Sequence, residues 1–383
     1  MTKARALEVR RLGFVEYEDG LRLMEAYRDA RAQSRIADTL FLLQHFPVLT
    51  LGRKGRRADV LADLGELERR GIQVFETDRG GEGTYHGPGQ IVGYPIVDLS
   101  PDRRDVRHYV RDLEETMLRA ALEAGVRAGR VAGLNGIWLA PDADPPSPGP
   151  ARKLGALGVH LSRWVTSHGF ALNVNTELAA FDLIVACGIR DRGVTSLAAE
   201  LGRPVSLNAV EASLERHLAE LLEREPTARP IEHATVQVQV VRRGRDGVEL
   251  LALHRQAERG GFWQPVTGRL EPGESFAAAA QRELEEETGL GGSDGVDSLE
   301  YRHAFLWPAG AEVADGPDDG TQVAEESAFV VEAPADFRPV LSAREHDVSE
   351  WVSPAEAAAR FPFAGLRRGA VLAASWARAR ASA

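Results

Sequence analysis

The chain contains one cysteine, Cys187, within an apolar run over residues 185–189. A protein of 383 residues that uses cysteine once forms no internal disulfide bond and no cysteine-rich metal site. Two interpretations remain: a small buried apolar side chain, or a thiol that acts as a nucleophile. The neighbouring residues are compatible with both, so the choice depends on the chemistry available elsewhere in the sequence.

A glycine-rich run and a lysine upstream favour the nucleophile. Residues 79–90 place five glycines around Thr84, Tyr85 and His86, which lets the backbone approach a ligand. Lys153 begins an apolar, glycine-spaced run, and an ammonium group near a thiol favours the thiolate. A thiolate suits acyl transfer from a thioester to an amine, and backbone N–H groups can stabilise the developing oxyanion. Each feature alone also fits a surface hairpin or an edge lysine.

Four runs, taken in order, resemble those of the lipoyl(octanoyl) transferases, the lipoate-protein ligase B family: residues 79–90, 153–158, 167–175 and 181–196. The resemblance extends over residues 7–222, and the family is related in fold to biotin and lipoate protein ligases. It implies transfer of an octanoyl group from octanoyl-acyl carrier protein to a lysine of lipoyl domains, in 2-oxoacid dehydrogenases and in the glycine cleavage H protein. It implies no cofactor for this reaction.

The same resemblance assigns roles to individual residues. Cys187 would carry the acyl thioester, and Lys153 would lower the pKa of the thiol and shuttle the proton. The substrate-binding positions that it implies come from three of the runs: Arg79, Gly80, Gly81, Glu82, Gly83, Thr84, Tyr85, His86, Ala156, Leu157, Gly158, Gly169, Phe170 and Ala171. The sequence departs from the family pattern at Glu82, where glutamine is common, and in a longer proline-rich loop before Lys153.

A basic run over residues 53–57 follows a predicted strand. Acyl carrier protein is acidic, so a basic surface near the site is a candidate docking surface for it. A solvated loop is the alternative, because most charged runs are solvated.

A second set of candidate residues lies towards the C-terminal end. Glu283, Glu286 and Glu287 are spaced i, i+3 and i+4 and therefore fall on one face of a helix. Three like charges there destabilise a helix unless a cation lies among them, and carboxylate oxygens suit Mg²⁺ or Mn²⁺. An ordinary acidic helix would explain the charges alone.

The spacing over residues 268–290 fits the Nudix box at every fixed position, including Gly268, Glu274, Arg282 and Gly289. Residues 233–377 resemble the Nudix family as a whole. The resemblance implies that Arg282 pairs with Glu274, and that a bound divalent cation supports hydrolysis of a nucleoside diphosphate linked to another group. The run 261–267 resembles hydrolases of nucleoside or pterin triphosphates, and residues 345–347 resemble a late loop where some members keep an extra acid.

Periodicity and chain breakers predict the elements that must position these residues. Short apolar runs predict strands at 40–46, 48–52, 71–77, 91–99, 136–139, 153–161 and 165–173. Apolar positions at helical spacing predict a helix over 106–123, which Gly125 ends, and another over 211–222. Proline-rich residues 141–150 and residues 315–320 predict exposed loops.

Strict alternation over residues 235–241 predicts a half-buried strand that begins a second domain. We therefore expect an α+β protein with two domains. A biotin/lipoate protein ligase-like catalytic domain would span residues 1–224. A linker over 225–232 would lead to an α/β/α Nudix sandwich domain over 233–383.

Composition and charge restrict the partners. Residues 230–383 contain 15 Lys and Arg against 25 Asp and Glu, so most of the net charge of −11 lies there. Such an acidic region is a poor surface for nucleic acid, and we expect none as a partner. Because the chain has no long apolar run, no secretory leader and a single cysteine, we expect a cytoplasmic protein that does not cross a membrane.

Two other function classes remain open. The first domain could be an ATP-dependent lipoate ligase of the same fold, which would explain Lys153 but leave Cys187 without a role. The second domain could bind and sense a nucleotide-like small molecule without cleaving it, although its glutamates are intact. Octanoyl transfer in the absence of ATP would distinguish a transferase from a ligase. Release of phosphate would distinguish a hydrolase from a nucleotide sensor.

Overall fold

A computed structural model describes residues 5–100, 103–185, 192–228, 233–244, 247–291, 295–306, 322–342 and 344–381. The chain divides into two compact units, Met1–Pro230 and Ile231–Ala383. Cys187, the proposed nucleophile, and the predicted loop 315–320 lie outside the described residues. No helix within the described residues is long and apolar enough to cross a membrane.

The first unit combines a large mixed sheet with a smaller one. Its strands are β1 (Arg5–Val15), β2 (Asp38–His45), β3 (Val48–Leu51), β4 (Gln73–Glu76), β5 (Gly83–His86), β6 (Gln90–Ile96), β7 (Arg130–Val131), β8 (Ile137–Leu139), β9 (Ala143–Asp144), β10 (Arg152–Ser162), β11 (Val165–Asn173), β12 (Gly193–Val194) and β13 (Arg224–Ala228). Its helices are α1 (Tyr17–Ala32), α2 (Leu64–Arg69), α3 (Val106–Glu123), α4 (Leu197–Leu201) and α5 (Leu207–Leu221), with 3-10 turns at Arg57–Asp59 and Leu178–Leu183.

Within the first unit the large sheet has the order β12-β10-β11-β6-β2-β1, and β8 also pairs with β10. Helices α3 and α5 pack together over the apolar face of this sheet, where they bury Leu113, Met117 and Leu214. Helix α3 begins at a side-chain cap, since Asp105 accepts hydrogen bonds from two backbone N–H groups of the first turn. The small sheet has the order β4-β3-β5 and lies beside the glycine-rich run.

Glycines lie at neighbouring positions on the central strands, where a larger residue would clash with the next strand. Gly169 on β11 pairs with Gly158 on β10, and Gly93 on β6 pairs with Phe170. A Cβ atom on Gly169 would lie 2.3 Å from the carbonyl oxygen of Gly93. The glycines therefore bring β6, β10 and β11 together at the position where the residues predicted to bind substrate are concentrated.

The second unit is a sheet covered on both faces by helices. Its strands are β14 (His233–Gly244), β15 (Gly247–Arg255), β16 (Trp263–Gln264), β17 (Val266–Arg269), β18 (Asp297–Leu306), β19 (Val323–Glu332) and β20 (His346–Val352). Its helices are α6 (Phe276–Thr288), α7 (Pro354–Arg360) and α8 (Ala364–Ala381), with a 3-10 turn at Ala257–Arg259. The strand order is β18-β19-β14-β15-β16, with β17 paired to β14 and β20 to β15.

Alternation along β14 separates the two faces of this sheet. Val236, Val238 and Val240 pack against α6, whereas Val241 packs with residues of α7 and α8. The predicted α+β class is confirmed.

One segment differs from its prediction. Residues 225–228, predicted as the beginning of a linker, belong to β13, which pairs in parallel with the first residues of β1. The prolines at 226 and 230 suggested an irregular segment, but a strand at a sheet edge tolerates proline. Arg224 holds β13 in place through a buried ion pair with Asp38, with Nε 2.8 Å from Oδ2.

Candidate functional site

A cavity of about 390 Å³ lies in the first unit between the glycine-rich run and strands β6, β10 and β11. It collects most of the residues predicted to bind substrate, together with Lys153: Arg79, Gly81, Glu82, Thr84, His86, Ala156, Leu157, Gly158, Gly169, Phe170 and Ala171. The remaining lining residues had no predicted substrate-binding role: Tyr17, Lys54, Val92, Tyr94, Gly133, Leu134, Asn135 and His168. The cavity thus has an apolar wall from the strands and a polar wall from the loop.

Three predicted substrate-binding residues lie away from this cavity. Along β5, Thr84 and His86 line it, and alternation turns Gly83 and Tyr85 to the opposite face. The Tyr85 ring packs edge-on against Phe181, with 5.5 Å between ring centroids, in a separate apolar cluster. Gly80 uses its N–H to donate to the Val159 carbonyl of β10, which anchors the loop to that strand.

The glycine-rich loop is fixed by backbone and side-chain hydrogen bonds. The N–H groups of residues 52–54 donate to loop carbonyls, at 3.0 Å, 3.1 Å and 3.0 Å. The Arg79 guanidinium donates to the carbonyl and hydroxyl oxygens of Thr50, at 3.0 Å and 2.8 Å. A Cβ atom on Gly158 would lie 2.9 Å from the Gly80 carbonyl oxygen. The glycines at 80 and 158 therefore allow the loop to contact strand β10 closely, in addition to any role in ligand binding.

Lys153 lies where two cavities meet. It lines the main cavity and a smaller one of about 30 Å³ that also includes Trp138 and Arg192. Its Nζ is 4.7 Å from the centroid of the Trp138 ring, and the Arg192 guanidinium carbon is 5.7 Å from the same centroid. Pairing of β10 with β8 and β12 fixes the backbone at this position. The lysine is therefore held on a strand flanked on both sides.

Neutral histidines and tyrosines pack together beside the main cavity, which Tyr17, His86 and Tyr94 line and which His45 supports from behind. His45 Nδ1 lies 2.8 Å from the Val15 carbonyl, to which it must donate, so His45 Nε2 accepts from the Tyr94 hydroxyl at 2.7 Å. Burial lowers the pKa of His45 to about 4 and lowers that of His86 well below its usual value. The histidines are uncharged at neutral pH and hydrogen-bonded.

A carboxylate bridges two histidines at the edge of the cavity. Asp78 lies 2.8 Å from His168 Nε2 and 2.9 Å from His160 Nδ1. The hydrogen bond from His168 lowers the pKa of Asp78 to about 2, so the carboxylate is ionised. His168 adopts a φ of +56°, an uncommon conformation for this residue type. Neither Asp78 nor His168 has a role predicted from the sequence. The position of Asp78 directly before the glycine-rich run was the one signal available for it.

In the second unit, Arg282 connects the residues of the predicted box. It donates to both carboxylate oxygens of Glu274, at 3.1 Å and 3.0 Å, and to Glu283 Oε1 at 2.8 Å. Glu283 lies directly over Gly268, where a Cβ atom would come 1.8 Å from the Glu283 Cδ. Gly289 ends α6 with a φ of +71°. The fixed glycines and the arginine thus position Glu283 against β17.

The three predicted metal-binding glutamates have different surroundings. Glu286 is 61% exposed and lies 3.5 Å from Arg282 Nη1. Burial raises the pKa of Glu283, and it raises that of Glu287 to about 7. Within the described residues, ligand atoms of Glu287, Glu345 and His346 lie within 4.8 Å of one another. The side chains gathered at the end of α6 therefore include two that the sequence analysis did not name as ligands.

Comparison with known proteins identifies a family for each part of the chain. The profile of the lipoyl protein ligase A/B catalytic domain matches residues 16–219, and that of the NUDIX domain matches residues 233–372. An octanoyltransferase of Myxococcus xanthus is 48% identical over 361 residues, covering 94% of this chain and 97% of the relative. An octanoyltransferase of Solibacter usitatus is 47% identical over 217 residues, covering 57% of this chain and 93% of the relative.

Among solved structures, a bi-partite lipoate protein ligase from Thermoplasma acidophilum is 20% identical to this chain, with a TM-score of 0.45. The similarity covers 58% of this chain and 88% of the ligase chain. The extensive match to the relative from Myxococcus xanthus includes both units. The chain belongs to the octanoyltransferase family and carries an additional Nudix hydrolase domain in its C-terminal part.

Proposed function

We propose that the first unit transfers an octanoyl group from octanoyl-acyl carrier protein to a lysine of lipoyl domains, through a thioester on Cys187. The observation that carries this proposal is the cavity of about 390 Å³, which combines an apolar wall with Lys153. Its volume falls within the range of about 300–1000 Å³ that is usual for small-ligand sites. Leu157, Phe170 and Ala171 supply the apolar surface for the acyl chain.

In the first half-reaction, the Cys187 thiolate attacks the carbonyl carbon of the octanoyl thioester. The bond to the carrier sulfur breaks, and the departing thiolate takes the proton that Lys153 holds. In the second half-reaction, the substrate lysine attacks the enzyme thioester as a neutral amine. Its proton passes to Lys153, an amide forms, and Cys187 is regenerated as thiolate. The position of Lys153, whose ammonium lies over the Trp138 ring, supports this arrangement, because a positive charge near a thiol favours the thiolate.

His168 is suited to assist the incoming amine. Asp78 accepts from its Nε2–H at 2.8 Å, which leaves Nδ1 as the acceptor atom of the neutral ring. Since His168 lines the cavity, an amine entering there can donate to this ring. We therefore place the Asp78–His168 pair beside the acceptor lysine.

The basic run is positioned to receive the carrier protein. Lys54 lines the cavity, and the backbone of residues 52–54 is hydrogen-bonded to the glycine-rich loop. A docking surface at this edge brings an acidic partner to the position where its acyl group can enter.

Intact-mass analysis after incubation with octanoyl-acyl carrier protein, without ATP, tests the transferase proposal. We expect one octanoyl adduct that hydroxylamine removes and that Cys187→Ala abolishes. Glu287→Gln, in the second unit, is the matched control and retains the adduct. An adduct of unchanged yield in Cys187→Ala would exclude the thioester, and a requirement for ATP would favour the ligase alternative.

We propose further that the second unit hydrolyses a nucleoside diphosphate linked to another group, using Mg²⁺ or Mn²⁺. The residues fit a cation, because both Glu287 carboxylate oxygens lack a hydrogen-bond partner although Glu287 is only 2% exposed. Glu283 and Glu287 would hold the ion, and Arg282 keeps Glu283 and Glu274 in position. A bound divalent cation neutralises diphosphate charge and lowers the pKa of water.

Phosphate or pyrophosphate release from a panel of nucleoside diphosphate derivatives and nucleoside triphosphates tests this second proposal. We expect Glu287→Gln to lower hydrolysis by at least about 100-fold while octanoyl transfer is retained. Hydrolysis at the parental rate in this variant would mean that the glutamate does not serve the reaction.

A further inference from the structure

Two buried side chains from different elements of the second unit face each other without normal hydrogen bonds. Glu287 lies in the last turn of α6 and His346 is the first residue of β20, and each is 2% exposed. Both carboxylate oxygens of Glu287 and both ring nitrogens of His346 lack a hydrogen-bond partner. His346 Nε2 lies 3.1 Å from a Glu287 oxygen, but the pair does not meet the angles of a hydrogen bond. Buried polar atoms are rarely left in this condition.

The third member of the cluster is Glu345, whose carboxylate is partly exposed. It contributes the third atom of the set that lies within 4.8 Å, and it also pairs with the exposed Arg259 at 3.3 Å. Two carboxylates and an imidazole at this separation can all contact one ion. A cation among them would satisfy the unpaired oxygens of Glu287 and one nitrogen of His346 together.

The backbone around the cluster is fixed before any ion binds. The N–H groups of Glu345 and His346 both donate to the Ser342 carbonyl, at 2.9 Å and 3.0 Å. The Gln256 N–H donates to the Glu345 carbonyl at 3.0 Å. The loop before β20 is also tied to the end of α6, because the Val340 N–H donates to the Thr288 carbonyl at 2.8 Å. The two halves of the cluster are therefore held at their present separation.

We infer that His346 supplies a nitrogen ligand beside Glu287 and Glu345 in the cation site, so that this unit prefers Mn²⁺ to Mg²⁺. The inference rests on the proposed metal dependence of the second unit and adds Glu345 and His346 to Glu283 and Glu287 as ligands. Mg²⁺ demands oxygen ligands and gives up its water reluctantly. An imidazole nitrogen suits first-row transition ions, and Mn²⁺ accepts both nitrogen and carboxylate oxygen.

Pulsed electron paramagnetic resonance of Mn²⁺ added to the full-length protein, with no nucleotide present, tests the inference directly. We expect the modulation of a directly bound ¹⁴N nucleus, together with Mn²⁺ affinity at least about tenfold above that for Mg²⁺ by competition titration. His346→Gln should abolish the ¹⁴N signal and weaken Mn²⁺ binding by at least about tenfold, with a smaller effect on Mg²⁺. His303→Gln, which changes another buried histidine of this unit, should preserve the signal.

The outcomes separate this inference from the proposed function. Bound Mn²⁺ without nitrogen coupling would overturn the role of His346 and leave metal-dependent hydrolysis in place. Failure to bind either Mn²⁺ or Mg²⁺ would overturn both. Because the spectrum of the parental protein decides the question of the nitrogen ligand, a poorly folded His346→Gln protein does not prevent a result.

Discussion

In the first unit the polar side chains below the cavity hydrogen-bond to one another, whereas the buried polar atoms at the end of α6 do not. Gln90 contacts His86 Nδ1 at 2.6 Å and donates to Asn173 at 2.9 Å, which in turn donates to the Thr195 carbonyl. In the second unit, Glu287 and His346 have no such chain of partners. These side chains of the first unit are hydrogen-bonded without a ligand, whereas Glu287 and His346 would gain their missing interactions when an ion binds.

The largest effect should follow from changing Lys153, which lines both cavities of the first unit. We expect Lys153→Ala to slow acylation by octanoyl-acyl carrier protein about 100- to 10,000-fold, because proton transfer and thiolate stabilisation are both lost. Lys153→Arg keeps the charge but should not restore the rate, since guanidinium does not release its proton. Single-turnover acylation and the pH dependence of iodoacetamide labelling measure the two effects. Parental rates in Lys153→Ala would remove the lysine from the mechanism.

The stability of the first unit should depend on one buried carboxylate. Asp38 Oδ1 accepts from Arg31 Nε at 2.7 Å, and Asp38 Oδ2 contacts Arg224 and Arg5 at 2.8 Å and 3.2 Å. We expect Asp38→Asn to lower the free energy of unfolding by about 3–5 kcal/mol, because it removes the buried negative charge that these guanidinium groups contact together.

Glu18→Gln is the control for Asp38→Asn, since Glu18 pairs with Arg22 on the exposed face of α1. It should change the free energy of unfolding by less than about 1 kcal/mol. Denaturant unfolding gives the free energy of unfolding of both variants, and hydrogen exchange in β1 and β2 shows whether the change lies in the first unit. Equal effects of the two changes would show that burial of the Asp38 ion pairs contributes nothing to the free energy of unfolding beyond that of an exposed ion pair.

A buried acid of the second unit should make its stability depend on pH. Glu326 accepts from Gln237 at 2.9 Å, and burial raises its pKa from 4.5 to about 7. The folded state therefore binds this proton more tightly than the unfolded state. Its stabilising effect is full below pH 4.5 and is lost as the pH rises through about 7. His303, 3.5 Å away, has a pKa lowered to about 4 by burial and stays neutral over this range.

Native-state hydrogen exchange of β19 amides between pH 5 and pH 8 would measure the Glu326 effect, after correction for the intrinsic exchange rate. We expect the free energy of unfolding to fall by up to about 3 kcal/mol across this range. In Glu326→Gln the part of this fall that is due to Glu326 should disappear. The raised pKa of Glu287 also makes stability fall as the pH rises. Comparing Glu326→Gln with the double variant Glu326→Gln/Glu287→Gln separates the contributions of the two glutamates. A pH profile that Glu326→Gln leaves unchanged would contradict the prediction.

The smallest effect should come from the edge of the cavity. We expect Lys54→Glu to raise the KM for octanoyl-acyl carrier protein about three- to tenfold with little change in kcat, because a rim charge acts mainly on association. The effect should shrink at high salt. Arg22→Glu, which reverses an exposed charge on α1, is the control. An equal effect of the two variants would remove the basic run as a docking surface.

Regular elements could be predicted from the sequence where apolar periodicity is strong. Helix α3 has the predicted bounds of 106–123 because it presents a continuous apolar face to the core, and β11, which is buried along its whole length, coincides with the predicted strand 165–173. Strand β13 could not be predicted, since its proline, Pro226, is typical of a loop and its stability depends on the distant Asp38. The local sequence pattern was therefore sufficient to predict elements of the core, but not strand β13 at the sheet edge.

Site residues could be predicted only where a motif contains them. Motifs located Lys153 and the Arg282–Glu274 pair, because spacing within a motif also determines contact. The pairing of Asp78 with His168, and of Glu287 with His346, joins residues far apart in the chain that meet only through tertiary structure. Alternation along β5 turns Tyr85 away from the cavity, and a glycine-rich run contains too little pattern to reveal this.

The Asp38 cluster also determines where the first unit can be cut. Its arginines come from β1, α1 and β13, so the last strand before the boundary between the units is part of the first fold. A recombinant transferase that ends at residue 222, after the last helix of the unit, would lose Arg224 and the strand that pairs with β1. A separable transferase should therefore extend through residue 228.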